Sequence, residues 1–334
     1  TLTFAAGETS KTFSVLVVND TYQEGAESFS ISLTNPVGTV IGATNISAIT
    51  INANDSSPAP VHPLDNPDAR FFVRQHYLDF LNREPDTDGL NYWAGQITSC
   101  GSNQGCITNA KVNASAAFFL SIEFQETGYL VYRTYKTAFG NAAGSAVING
   151  VSTPISVPVV RFGEFLIDTA QIAAGVQVGI GNWKQQLENN KQTYMLAFVQ
   201  RSRFTTAYPI SLTPTDFVNQ LFVRAGVTPS AQERQDAVDE FGTATNTADA
   251  AARARALRRV AENSTLKIIE NNRAFVLIQY FGYLRRNPND APDSDHSGWK
   301  FWLDKLEQHN GNYINAQMVL AFLSSFEYRD RFGP

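Results

Sequence analysis

The sequence predicts a multidomain chain: a partial antiparallel β-sandwich followed by a mainly α-helical repeat body. Three observations predict it. The first 56 residues alternate apolar and polar side chains with period two. A Pro-rich stretch, Asp55-Ser56-Ser57-Pro58-Ala59-Pro60-Val61-His62-Pro63, then forms a short semi-rigid spacer. Beyond it one motif is written twice, as FVRQHYLDFLNREPDTDGLNYWAGQI (residues 72–97) and as FVLIQYFGYLRRNPNDAPDSDHSGWKFWLDKL (residues 275–306). Each copy runs from an apolar-aromatic helix through Arg and Pro to an Asp-rich turn, then Gly, an aromatic-Trp pair and a second helix. Recurrence at this length marks a modular architecture.

Composition narrows the classes. With 43% hydrophobic and 17% charged residues in a chain of 334, the protein is globular rather than disordered. Net charge is -5. Most of it lies in residues 1–60, where Lys11 stands against Glu8, Asp20, Glu24, Glu27 and Asp55. The rest is nearly neutral, so no basic face suits nucleic acid. No apolar run reaches membrane-spanning length. The chain starts at Thr1 without an initiator Met or a signal-peptide pattern, so a processed piece is expected.

The β part is read from four segments: TLTFAA, KTFSVLVVND, ESFSISLTNP and ATNISAITINAND. Gly7, Asn35-Pro36 and Gly38 separate them as turns. Four strands are few for a sandwich of about seven. An uncovered edge pairs with other chains, so upstream residues or strands from a neighbouring subunit are expected to complete the layer. Residues 1–56 resemble the C-terminal half of the Calx-beta family. The resemblance rests on Asn19-Asp20-Thr21-Tyr22-Gln23-Glu24-Gly25-Ala26-Glu27-Ser28-Phe29 and on Ile51-Asn52-Ala53-Asn54-Asp55. It implies calcium as cofactor, with Asp20, Glu24 and Asp55 as ligands and Glu27 and Asn54 beside them. Clustered carboxylates are the oxygen donors calcium takes. Asn19 stands where calcium-binding members often carry a second Asp.

The helical body divides into four related units, about 68–128, 129–209, 215–272 and 273–334. Their ends align: LSIEF, VQRSRF and LSSFEY each close an apolar helix with a polar residue and an aromatic. Domain boundaries are expected at 1–56, a linker at 57–67, one helical domain at 68–210 and a second at 211–334. In the first unit Phe72/Val73, His76/Tyr77 and Phe80/Leu81 recur at helical spacing. Pro85 and Asp86 end that helix, and Leu90, Trp93 and Ile97 stripe the next. Trp93, Trp183, Trp299 and Trp302 are expected to lock helices together. The third unit lacks the Pro-Asp turn and the Trp. Residues 140–162 interrupt the second unit as an ordered loop or short hairpin, one place for a binding surface.

This body resembles the DUF4214 family of bacterial secreted and surface proteins, and more distantly phycobilisome linker domains. The residues that carry the likeness are Phe72-Val73-Arg74, Tyr77, Phe80-Leu81, Arg83, Pro85-Asp86, Gly89-Leu90 and Tyr92-Trp93, repeated by Arg285, Pro288, Gly298, Trp299 and Trp302. The resemblance implies an extracellular or cell-surface setting and no established activity.

Site chemistry is sparse. Cys100 and Cys106 in SCGSNQGC are spaced to close a small loop; a disulfide there suggests an oxidising compartment, and two reduced thiols are the alternative. The acidic turns at 85–89 and 289–298 lack the closing Glu of a 12-residue calcium loop, so helix capping is the expected role. Arg83 and Arg285 are expected to brace those turns. His62, His76, His296 and His309 are scattered, and no nucleophile elbow, phosphate loop or dinucleotide fingerprint occurs. The expectation is a non-enzymatic structural or assembly protein, partnered by itself, by neighbouring surface proteins or by glycans. A glycan-binding surface adhesin is the alternative, and a hydrolase with an unrecognised site a second.

Overall fold

A computed structural model describes Leu2, Phe4, residues 7–13, Val15, Val17 and residues 25–53 and 62–332. In the N-terminal part, strands β1 (Glu27–Ser32) and β2 (Ile46–Ile51) form an antiparallel hairpin. Glu27 pairs with Ile51 and Phe29 with Ile49. Period two then places Phe29, Ile31, Ile49 and Ile51 on one face and the serines of β1 on the other. The two remaining expected strands fall largely on residues outside the described set.

The body is built from sixteen α-helices among the described residues, in four successive sets of four. The first set is α1 (Ala69–His76), α2 (Thr87–Thr98), α3 (Gln104–Leu120) and α4 (Ile122–Glu126). The second is α5 (Gly128–Phe139), α6 (Phe162–Ala173), α7 (Trp183–Val199) and α8 (Ser202–Ala207). The third is α9 (Pro214–Ala225), α10 (Ala231–Val238), α11 (Ala250–Ala261) and α12 (Ser264–Ile269). The fourth is α13 (Asn271–Gln279), α14 (Ser297–Gln308), α15 (Met318–Leu323) and α16 (Phe326–Asp330). In the first and fourth sets the opening helix runs on into a π-helical turn, Tyr77–Leu81 and Tyr280–Leu284. Each turn ends in a left-handed residue, Asn82 (φ 52°) or Arg285 (φ 54°).

Capping sets these boundaries. Ser121 accepts from the Phe124 N–H before α4, and Ser325 from the Tyr328 N–H before α16, both at 3.1 Å. The third unit keeps the pattern with other turn chemistry. Gly226 ends α9 at φ 75°, and Ser230 with Glu233 forms a capping box that opens α10.

The units pack in nested pairs, first with fourth and second with third. Their π-helical turns bring the first and fourth together, and α15 lies on α3. Helix α5 lies on α9, and α7 on α11. These last contacts cross position 210/211, where the sequence reading divides the body, and the buried side chains from Ala69 to Phe332 form one cluster. Residues 62–67, assigned by sequence to the linker, pack on the first unit. Lys111 Nζ donates to the carbonyls of Pro63, Leu64 and Asn66 at 3.2, 2.7 and 2.9 Å. His62 meets the Tyr328 ring edge-on at 5.4 Å.

The first–fourth contact depends on a missing side chain. A Cβ on Gly282 would stand 2.5 Å from the Phe80 ring. Gly282→Ala is therefore expected to lower stability by about 1–3 kcal/mol through overpacking. Gly95→Ala, on α2 with nothing within 4 Å, should be neutral or stabilising by up to about 1 kcal/mol. Urea midpoints of the two variants check the contrast.

Residues 140–162 contain a hairpin, β3 (Ala142–Ile148) and β4 (Val151–Val157), turned at Asn149-Gly150 with both residues at positive φ. It reaches from the second unit to the fourth. The His296 N–H donates to the Ser145 carbonyl and the Val147 N–H to Ser297 Oγ, both at 2.8 Å.

Candidate functional sites

Four places combine chemistry with position. The first is the end of the β1–β2 hairpin. Asp20, Glu24, Asp55 and Asn54 lie outside the described residues; Glu27 is exposed at the first position of β1. Because Glu27 pairs with Ile51, residues 25–26 and 52–53, which lead in sequence to Glu24 and Asp55, leave the hairpin at the same end. The donors are hard oxygens, as calcium requires. Among the described residues no group of three His, Cys, Asp or Glu could hold a metal.

The second is a buried ionic junction between the first and fourth units. Asp79, in the first π-helical turn, is fully buried. Oδ1 accepts from Gln75 at 3.0 Å, Arg331 at 2.9 Å and Arg285 at 3.1 Å, and Oδ2 accepts from the Tyr328 hydroxyl at 2.9 Å. Arg285 also donates to the Leu78 and Asp79 carbonyls, and Arg331 to those of Gly282 and Tyr283. Burial raises the Asp79 pKa, but Arg331 and Arg285 outweigh it and hold the carboxyl below its ordinary value. Sequence reading missed Asp79, whose neighbours Leu78, Phe80 and Leu81 make it one polar residue in an apolar run. Next to it, His76 Nε2 lies 2.7 Å from Ser115 Oγ, while Nδ1 meets the Phe72 carbonyl at 2.8 Å. Both side chains are buried inside the core, and burial lowers the His76 pKa to about 4. This pair packs the core, with the His76 ring against Phe72, Phe80 and Phe118.

Around the junction the braces repeat. Arg83 grips Glu123 with two bonds of 2.7 Å. Its counterpart is Arg286, which grips Glu327 in the same bidentate manner. Arg285, which sequence paired with Arg83, takes the left-handed position and turns across to Asp79. Asp86 caps α2, accepting from the Gly89 N–H at 2.7 Å; at α14 the N-cap His296 makes no side-chain capping bond, and Asp295 before it accepts from the Ser297 N–H at 2.8 Å.

The third is a groove of about 500 Å³ between α7 and α11. Arg258 holds Glu188 with bonds of 2.6 and 2.7 Å, and Arg255 and Arg259 share Glu240. Hydrogen bonds from Arg258 are the main reason the Glu188 pKa falls to about 2. With Glu262 also on its wall, three arginines meet three glutamates here, so the groove favours neither sign of ligand.

The fourth is a repeated aromatic pair. Tyr92 is 59% exposed and Phe301 55%. Each meets its neighbour, Trp93 or Trp302, edge-on with ring centres 5.0 Å apart. Trp299, by contrast, is fully buried and occupies the position of Leu90.

Residues 62–127 match DUF4214, a domain of unknown function. That span is one unit of the body, from the packed His62 through α4. Residues 1–55 match the Calx-beta domain, so the two matches stand in the order expected from sequence. No match extends the likeness to phycobilisome linkers. No curated protein and no solved structure matches the chain significantly. Cys100, just after α2, and Cys106, in the first turn of α3, are joined by a disulfide with Cα atoms 5.5 Å apart. No helix among the described residues is long and apolar enough to cross a membrane.

Proposed function

We propose that this chain is a non-enzymatic structural module of a secreted or cell-surface bacterial protein. Its Calx-beta segment binds calcium and mediates assembly, and its helical body acts as a rigid spacer. The observation that carries the reading is the fate of the body's charges. Asp79, Glu123, Asp168 and Glu270 are buried; Asp79 and Glu270 are bonded across units, to Tyr328 and Tyr132, and Glu123 and Asp168 brace their own units through Arg83 and Arg201. The Calx-beta match supports the calcium and the extracellular setting, since that domain is associated with both. Asp20, Glu24, Asp55 and Glu27 are the ligands in this reading. The test is a calcium titration followed by calorimetry and light scattering. Binding that disappears in Asp20→Asn with Glu24→Gln, together with a calcium-dependent rise in particle mass, is the expected result. No heat of binding and a constant monomer mass would refute it.

A second reading, a glycan-binding adhesin, is favoured by the aromatic pairs at Tyr92 and Phe301. Two exposed rings at equivalent places offer stacking platforms. A glycan array with wild type and the Tyr92→Ala, Phe301→Ala double variant decides it, and absence of any binding removes it.

A further inference from the structure

One cluster holds its groups in the arrangement of a reaction rather than of packing alone. Lys136, in the last turn of α5, is 8% exposed, and Glu270, at the start of α13, is 4% exposed. Lys136 Nζ lies 3.3 Å from Glu270 Oε1 and 2.8 Å from Oδ1 of Asn141. Asn141 follows Gly140, whose φ of 74° turns the chain. That turn brings the carboxamide back over the lysine five residues before it. Glu270 is held by its other oxygen. Tyr132 donates to Oε2 at 2.6 Å, and Arg273 Nε lies 3.3 Å from it. Oε1 is thereby left directed at the lysine.

An amine, a carboxamide and a carboxylate in contact constitute the reactants and proton carrier for amide exchange. The geometry points to an intramolecular isopeptide bond between Lys136 Nζ and Asn141 Cγ. Glu270 takes a proton from the Lys136 ammonium, and the freed amine attacks Cγ. The new C–N bond forms as the original carboxamide C–N bond breaks. Glu270 passes that proton to the departing nitrogen, which leaves as ammonia, and the attacking nitrogen sheds its second proton, which the ammonia carries into solvent as ammonium. No oxidant or co-reactant enters, and charge is conserved. Burial of Lys136 and Glu270 keeps water from the nucleophile and from the proton carrier. Asn141 sits at the exposed edge, where ammonia can depart. The bond would fasten the end of α5 to the start of β3, the root of the hairpin that reaches α14.

Mass spectrometry of the purified chain tests this. With the Cys100–Cys106 disulfide reduced, the intact mass should fall short of the sequence mass by one ammonia. Trypsin should no longer cut after Lys136, so that residues 134–161 appear as one peptide carrying the deficit. Lys136→Arg keeps the cation but cannot form the bond, and Glu270→Gln keeps the shape but cannot carry the proton; both should show their full sequence mass. A wild-type chain at full mass with trypsin cutting after Lys136 overturns the proposal. So does Asp at position 141, which would mean that water had attacked instead. So does an ammonia deficit that persists in Lys136→Arg. Because the wild-type measurement is decisive alone, a variant that fails to fold leaves the test intact.

Discussion

Asp79→Ala is expected to lower stability by about 3–5 kcal/mol, because removal of one partner strands the other charges of a buried pair. Here two guanidiniums, from Arg285 and Arg331, and the Tyr328 hydroxyl all converge on one carboxylate. All three partners belong to the fourth unit, so the substitution should loosen the first–fourth contact ahead of the second–third contact. Urea denaturation measures the loss, and hydrogen exchange locates it. A midpoint within error of wild type would show that the junction is not coupled to folding. The same carboxylate sets an acid limit. Its folded pKa lies below the ordinary value. The stability it confers is therefore present above the unfolded Asp pKa of about 3.9. It is lost as pH falls through the lower folded value.

Stability is also expected to fall between pH 6.5 and 4, through His76. Burial lowers its pKa to about 4 from the ordinary 6.5. In that interval the unfolded chain takes up a proton that the folded chain refuses, so acid favours unfolding. Above the unfolded pKa both states are neutral, and the contribution is complete. A shift of this size corresponds to about 3 kcal/mol across the window. The fourth unit supplies the control. Gln279 occupies the place of His76 and donates to the Phe275 carbonyl at 3.3 Å, as His76 Nδ1 meets Phe72. His76→Gln should thus preserve the backbone bond while flattening the dependence of the urea midpoint on pH. An unaltered slope in that variant would assign the acid sensitivity elsewhere.

Much of the scaffold was legible because helical spacing and turn chemistry are local. The recurrence of Phe72/Val73, Tyr77, Gly89 and Trp93 as Phe275/Val276, Tyr280, Gly298 and Trp302 marked two units. The junction was not legible. Asp79 reads as a stray polar residue, since Arg285, Tyr328 and Arg331 lie more than two hundred positions away. Two arginines stand side by side in the second copy, and only the register from Tyr77 and Tyr280 shows that Arg286, not Arg285, is the counterpart of Arg83. The third unit was faint because Gly226 and a Ser230–Glu233 box replace the Pro-Asp turn with equivalent geometry. The division at 210/211 followed chain order, whereas packing follows the complementarity of α5 with α9 and α7 with α11. The proposed calcium ligands, Glu27 apart, lie outside the described residues.

Nested pairing also dictates a timetable. The second unit meets its partner as soon as the third is made. The first must wait for Arg285, 206 residues beyond Asp79. At ribosomal speeds of about 5–20 residues per second, that is a delay on the order of ten to forty seconds. Throughout it, the nascent first unit carries an uncompensated carboxylate and an uncapped aromatic surface. A chaperone or a slow closing phase would find its substrate in that interval, and the last helix to emerge completes the lock.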